Sequence, residues 1–497
     1  MAKAQAIQVS EPNLVLPLAS SYTTRGIAGF TNTVTNALDA RKINSAYELV
    51  KNSASGKQTL FLVKRPGVAD VGSSYGTAGQ VAYLWEIAAG ATTNAAANRW
   101  VFSTSVNDIR ASNTSATTVI ATAAGYAPAY CDKTAISGTD TVVVQLRNAS
   151  GTQTVWHSTA IATFTQITDS DFPNPLGKIE HLDGFAFALA STNRIHNSDL
   201  NSLSSWDANG YISMQTQQDI PAGLAKLGQQ IIGFGMAHFE VFRNAGNATG
   251  SPLEAVQGMS QEYGLADPSV TGMRHYYAVM DGRLYWRGTN PLGVFTYNGQ
   301  TVEKVSTVAI DKILAERQHY FVGEITFQGQ KAIVIGLDLP SATTQRSLLF
   351  FPQWNDWFEW TSTVFIPQTS PRLTNVCLGV DQSQHKLYAI SEASDNWQDA
   401  GTNFTLTHQF ELPKDGNNRQ IMDWFDVKSP VARSASSLGV EFSDDDGVSW
   451  STARNIDLTL NDKRALWRCG SYTKRQVRLT HTANLDCRLE SALARVR

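Results

Sequence analysis

A chain of 497 residues that is 42% hydrophobic and 10% aromatic can bury a large core, which excludes an intrinsically disordered protein and a single small domain. The formal charge of −3 gives no basic signature and argues against a protein whose main task is gripping nucleic acid. Cys131, Cys377, Cys469 and Cys487 are scattered without a CxxC pair, so neither a disulfide framework nor a thiolate zinc site is implied, and a reducing cytoplasm suits them. The N-terminus lacks a signal-peptide core and no apolar stretch reaches membrane-span length, so neither secretion nor a membrane span is expected.

Residues 1–57 read as an N-terminal segment with few strand signals, in which Asp39–Val50 suits a short helix or an extended stretch. From residue 58 strands dominate. Thr59–Lys64 runs into Arg65-Pro66-Gly67, read as a turn in which Pro fixes φ and Gly supplies φ > 0. Residues 72–125 turn Ala/Thr-rich around isolated apolar runs such as Val81–Ile87, and an elaborated or inserted β-region is expected there rather than a loop of that length. Thr139–His157 is a hairpin turning at Asn148–Gly151, Lys178–Leu189 turns on Asp183-Gly184, and Leu227–Arg243 is two strands around Gly235.

The clearest stretch follows. His275–Met280 is an apolar run, Asp281-Gly282 accepts φ > 0 at both corner positions, and Arg283–Arg287 returns. The pattern repeats at once around Asn298-Gly299, giving a four-stranded meander of propeller-blade size. Ile310–Arg317 is the best short helix, and Tyr320–Leu337, Ser347–Trp360 and Val376–Ile390 resume the hairpins. Strand pairs recur about every 40 to 50 residues, the spacing of blades rather than of a sandwich. The expected fold is all-β: a β-propeller of six or seven blades over 58–395, then a C-terminal β-sandwich-like domain over 396–497, where strands shorten and turns crowd. The last 35 residues hold nine Lys or Arg against two acids, which suits either a solvated edge that resists strand-to-strand aggregation or a docking surface for an acidic partner or DNA.

Motifs with chemical content are few. Ser443, Asp445, Gly447, Ser449 and Trp450 fit the Asp-box pattern S-x-D-x-G-x-S-W, a self-supporting hairpin in which Asp445 accepts turn N–H groups and Trp450 covers the turn. Sialidases carry several such boxes on a propeller; this chain has one, in its C-terminal region, so the structural reading is preferred. Trp354, Trp357 and Trp360 resemble a sugar-stacking platform, but along a strand Trp357 and Trp360 point to opposite faces. No HExxH, GxSxG or phosphate loop is present, and Gly233 and Gly235 read as turn glycines. No catalytic, cofactor-binding or metal-binding residue is assigned, and no cofactor is expected.

Several pieces in order carry a family resemblance. They are Ile43-Asn44 leading to Lys64–Gly67, Ile231–Gly246, Gln261–Leu265 through Tyr285, Leu348–Trp360, and Asn461–Arg468 with the basic strands behind it. The series resembles the tail hub or nozzle proteins of short-tailed bacteriophages, also called packaged-DNA stabilisation proteins. Residues 72–125 do not fall on that pattern. The resemblance implies a non-enzymatic virion protein, assembled in the host cytoplasm as a homo-hexameric ring below the portal and its adaptor ring. It also implies contacts with tail fibres or spikes and with a plug or needle, and genomic double-stranded DNA passing through without sequence-specific binding. The competing class is a glycan-binding or sialidase-like propeller, which requires an axial pocket with paired carboxylates or an arginine cluster.

Overall fold

The structure, a computed structural model, describes residues 13–17, 41–51, 58–74, 85–88, 99–105, 108–112, 117–122, 126–148, 150–158, 164–266, 276–316, 319–327, 329–337, 344–364, 366–369, 378–381, 386–390, 396–412, 418–461 and 464–497. His275, Gln328, the 382–385 turn and most connections within 72–125 lie outside them. The chain packs as two compact units. One comprises Ala69–Pro352 and Thr361–Ile390, the other Met1–Val68, Gln353–Trp360 and Ser391–Arg497.

The larger unit is a β-propeller. Its described strands form seven sheets in chain order, each an antiparallel meander of neighbours in sequence: 85–122, 126–166, 180–213, 221–255, 277–304, 319–351 and 366–390. Val68–Ser74 joins Lys386–Ile390, so an early strand completes the last sheet. The Ala/Thr-rich stretch therefore carries a four-stranded sheet of its own, Trp85–Ala88, Arg99–Ser105, Asp108–Ser112 and Thr117–Thr122, on the pattern of the others. Its composition dilutes the apolar alternation that marks the rest, but Thr is β-branched and favours extended backbone.

In the fifth sheet Asp281 and Gly282 take φ values of 49° and 73°, the left-handed pair needed by a two-residue hairpin turn, and Met280 faces Arg283 across it. The second turn is built differently. Asn298 Oδ1 accepts the N–H groups of Gln300 and Thr301 at 2.9 and 2.8 Å, and of that pair only Gly299 has positive φ. Helix α1 (Val308–Glu316) follows, burying Ile310 and Leu314. The core lies between adjacent sheets: Trp286 from the fifth meets Phe234 and Phe239 from the fourth at ring separations of 5.4 and 5.9 Å, and all three are fully buried.

In the terminal unit Asp39–Val50 resolves as extended chain where described, with Lys42–Ile43 and Ser45–Lys51 as strands broken at Asn44, whose φ is 54°. Lys42–Ile43 pairs with Leu406–Glu411, which continues through Gln476–His481 and Ser437–Ser443 to Arg454–Asp457. A second sheet orders Asn13–Pro17, Ser491–Val496, Gln420–Lys428 and Leu466–Trp467. The Arg65-Pro66-Gly67 step is not a hairpin turn with positive φ. Gln58–Lys64 pairs with Ser45–Lys51 and Arg488–Leu489, while Val68 pairs with Asp399, so the step passes the chain between different partners. Glycine is required at 67 by crowding: a Cβ there would lie 2.1 Å from the Gln398 carbonyl oxygen. Arg65 is tied by a forked pair to Asp399 at 2.9 and 2.6 Å. Trp357 and Trp360 are both core residues, Trp360 donating to the Ser45 carbonyl at 2.9 Å, so no sugar platform forms from them.

Candidate functional site at the propeller hub

A propeller that acts on a ligand usually does so at its hub, where the first strand of every sheet converges. Contacts that skip a sheet locate that hub. Tyr130 from the second sheet packs on Tyr276 beside the fifth at 5.6 Å, and Tyr277 of the fifth donates to Glu180 of the third. Tyr276 also donates to the Leu224 carbonyl of the fourth at 2.6 Å and accepts the Lys178 N–H at 2.8 Å. Gly177 and Gly223 make room for that ring, since a Cβ at either would come within 2.7 and 2.9 Å of it.

The charges at the hub are internally satisfied. Lys178 Nζ lies 2.6 Å from Asp132, 3.2 Å from the Tyr277 hydroxyl and 3.6 Å from Glu180. Burial works against the ammonium, but Asp132 and Glu180 outweigh it and hold its pKa well above the usual lysine value. Burial pushes Glu180 up to about 7 against the pull of Lys178, and pushes His181 down to about 4, so its imidazole is neutral. Glycoside hydrolysis needs two carboxyl groups flanking an open cleft. Here Glu180 is 2% exposed and Tyr276 1%, and Glu180 Oε1 and the Tyr276 hydroxyl are taken by protein groups. The hub is a latch joining four sheets. Among the described residues no group of three or more His, Cys, Asp or Glu is placed to hold a metal.

Gly235 of the fourth sheet belongs to a second clamp. His238 Nδ1 lies 2.9 Å from Asp219 and Nε2 3.4 Å from Glu240. Asp219 also accepts the N–H groups of Ile220 and Ala237, both at 2.7 Å, and Glu240 accepts that of Thr216 at 2.8 Å. Gly235 is required because a Cβ would sit 2.2 Å from Asp219 Oδ2. Gln261–Leu265 closes the other side: Phe239 and Gln261 exchange backbone bonds of 3.0 and 3.1 Å, and Trp286 donates to the Gly264 carbonyl at 3.2 Å. Gly233 and Gly235, read as turn glycines in the sequence, both lie in the strand Gln230–Gly235; the Asp219 carboxylate crowds Gly235, and Met214 Sδ, 2.9 Å from where a Cβ would lie, crowds Gly233.

The clamp sets a pH window. The hydrogen bond to Glu240, opposed by burial and joined by Asp219, raises His238 above 6.5, so its contribution is complete below 6.5 and is lost as pH rises through the raised value. Asp219 and Glu240 lie below their ordinary 3.8 and 4.5, burial being outweighed by donated hydrogen bonds, so their share is lost as pH falls through those lowered values. The loss of melting temperature in His238→Gln should therefore be widest between pH 4.5 and 6.5 and should narrow in alkaline solution. A difference that stays flat into alkaline solution contradicts the clamp.

Comparison with known proteins decides the family. The sequence model described as "Bacteriophage P22 Gp10, beta-propeller", of the phage stabilisation family, matches residues 87–345, more than half of the chain. The chain belongs to this family. The match runs from the first sheet into the sixth, so it includes residues 87–125, which the sequence motifs alone do not place on the family pattern, as well as the hub and the clamp. The phage stabilisation family makes this chain a structural tail protein of the virion that assembles with other virion parts. No curated protein matches it. Among solved structures, BBS1N in complex with ARL6DN is similar at a TM-score of 0.40 and 9% identity, over 66% of this chain and 99% of that one. The WD40 domain of Neurospora crassa Pan2 is similar at 0.38 and 7%, over 67% and 96%. Likenesses this slight carry no argument. Among the described residues no helix is long and apolar enough to cross a membrane.

Two further features lie outside the span matched by the phage stabilisation family. In the Asp box, Asp445 Oδ1 accepts from the Ser443 hydroxyl at 2.8 Å and the Ser449 N–H at 2.9 Å, Gly447 has φ 84°, and the Trp450 indole donates to the Gly447 carbonyl at 3.2 Å. Every one of these bonds is internal to the hairpin. Most of the basic side chains of the C-terminal strands are paired with acids of their own unit. Arg464 pairs with Asp426 at 3.9 Å, Lys474 with Asp446, Arg475 with Asp444 at 2.7 Å and Arg478 with Glu441 at 2.8 Å. Arg488 pairs with Asp486 at 2.7 Å, and Arg495 and Arg497 both reach Asp423, at 3.6 and 3.1 Å. Lys463 lies outside the described residues. The sequence shows only a charge run because the matching acids come largely from other strands.

Proposed function

We propose that the chain is one subunit of a closed hexameric ring in a short-tailed phage, a tail hub or nozzle below the portal and its adaptor ring. The family match over the propeller carries this reading. A closed ring joins one surface of each subunit to a different surface of the next. In this reading the genome runs through the hole between subunits rather than along any propeller's own axis, a view supported by the hub filled with Tyr130, Tyr276, Tyr277 and the Lys178 pairs. Fibres or spikes and a plug or needle attach to the ring, no enzymatic step or cofactor is involved, and assembly takes place in the host cytoplasm.

The ring retains DNA by closure rather than by affinity. Binding that neutralises phosphates draws on counterion release, and a bore rich in free Lys and Arg would grip the duplex and slow its exit. Six copies at −3 each give −18, and most of the basic side chains near the C-terminus lie against acids of the same unit. Particles assembled without the protein should package DNA and then lose it, while the isolated protein should show no tight duplex binding at physiological salt. Full retention of DNA by particles lacking it contradicts the proposal, as does submicromolar duplex binding abolished by replacing Lys474, Arg475 and Arg478.

A further inference from the structure

We infer that the terminal unit carries a shallow binding site for a neutral saccharide on one face of its main sheet, walled by the indole of Trp450. A cleft of about 340 Å³ opens there, lined by Arg41, Ile43, Thr407, Gln409, Glu441, Trp450, Arg478 and Thr480. Cross-strand register puts the floor on a single face: Ile43 faces Thr407, Thr407 faces Thr480, and Gln409 and Glu441 both face Arg478. The alternate residues Leu406, His408, Val440, Val477 and Leu479 turn the other way into the core. Opposite Thr480 stands Gly439, where a Cβ would lie 2.6 Å from Thr480 Oγ1, so the glycine makes room for the Thr480 side chain.

Three observations select the ligand class. The cations of the cleft are already matched: Arg478 forks onto Glu441 with two bonds of 2.8 Å, and Arg41 holds Glu359 at 2.5 Å, so an anionic ligand finds no uncompensated charge. Hydrogen-bonding groups remain open to a ligand, since Thr407 and Thr480, half-buried on the floor, each bring a hydroxyl that can both donate and accept. Beside these polar atoms lie flat or apolar surfaces: the Trp450 ring with the Arg478 guanidinium 4.2 Å from its centroid, Ile43, and the two threonine methyls. Apolar flats next to a few fixed donors and acceptors match a pyranose, with its C–H faces and hydroxyl rim. The volume admits one or two rings, so the site reads part of a longer neutral chain. The Asp box thereby acquires a second use, because the hairpin that fixes Trp450 also sets the wall.

The test is ligand-observed saturation-transfer NMR on the full chain with maltotriose, mannotriose and chitotriose, and with sialyllactose as a charged comparator. At least one neutral trisaccharide should receive saturation, with little change on raising salt, because no net charge is engaged. The near-isosteric double variant Thr407→Val/Thr480→Val should keep the native melting temperature and weaken binding roughly tenfold or more, the scale of one or two lost hydrogen bonds. Absence of transfer from all three neutral sugars overturns the inference. So does transfer unchanged in the double variant, or salt-sensitive binding of sialyllactose alone.

Discussion

Gly264→Ala should destabilise the propeller by roughly 3 kcal/mol or more, the upper range for overpacking at a site with no room to relax. The new Cβ would lie 2.0 Å from the Met236 carbonyl oxygen, 2.1 Å from its carbon and 2.3 Å from the Ala237 nitrogen. These are backbone atoms, so no side chain can swing aside. Nor can the two segments part cheaply. Leu265 donates to the Gly235 carbonyl at 2.9 Å, the Phe239 and Gln261 bonds fix the adjoining residues, and the Ala237 N–H is committed to Asp219. Gly246 is the control, with φ 68° and no atom within 4 Å of the place a methyl would take; Gly246→Ala should cost only the left-handed backbone strain, about 1 kcal/mol. Urea unfolding of both variants gives the comparison. Equal and small losses would show that the two loops are not locked together.

In the terminal unit Asp399→Ala should cost about 3–5 kcal/mol, because it strands a buried guanidinium. The side chains of Arg65 and Asp399 are 1% and 3% exposed, so water cannot replace the lost partner. Arg65 is held from every other side as well, by Asn44 Oδ1 at 3.1 Å, the Pro66 carbonyl at 3.1 Å and the Phe404 ring at 3.9 Å. The double variant Arg65→Met/Asp399→Leu should recover much of the loss, since removing both charges removes the stranded one. A cost below about 1 kcal/mol for Asp399→Ala, typical of a surface pair, would mean the pair is solvated in solution.

How much of this is legible in the sequence follows from the range of the interactions. Asp281-Gly282 and Asp183-Gly184 can be read directly because a two-residue turn is decided by its own two residues, and each of these four has positive φ. The Asp box is equally local. Gly67, Gly235 and Gly264 are visible as glycines but not for their reason, since the crowding atoms belong to Gln398, Asp219 and Met236. The hub cannot be read at all: Asp132, Lys178, Glu180 and Tyr277 come from three different sheets, and no spacing announces their meeting. The cleft under Trp450 is hidden for the same reason, its floor being assembled by register across strands far apart in the chain.

The central claim is the ring, and the most direct measurement is particle averaging of intact tails by electron microscopy. The account predicts six copies of this chain around the tail axis, forming a closed ring between the adaptor and the distal tail parts, with DNA density in the central hole and none along any propeller axis. Any other copy number, or single subunits dispersed on fibre tips, contradicts it.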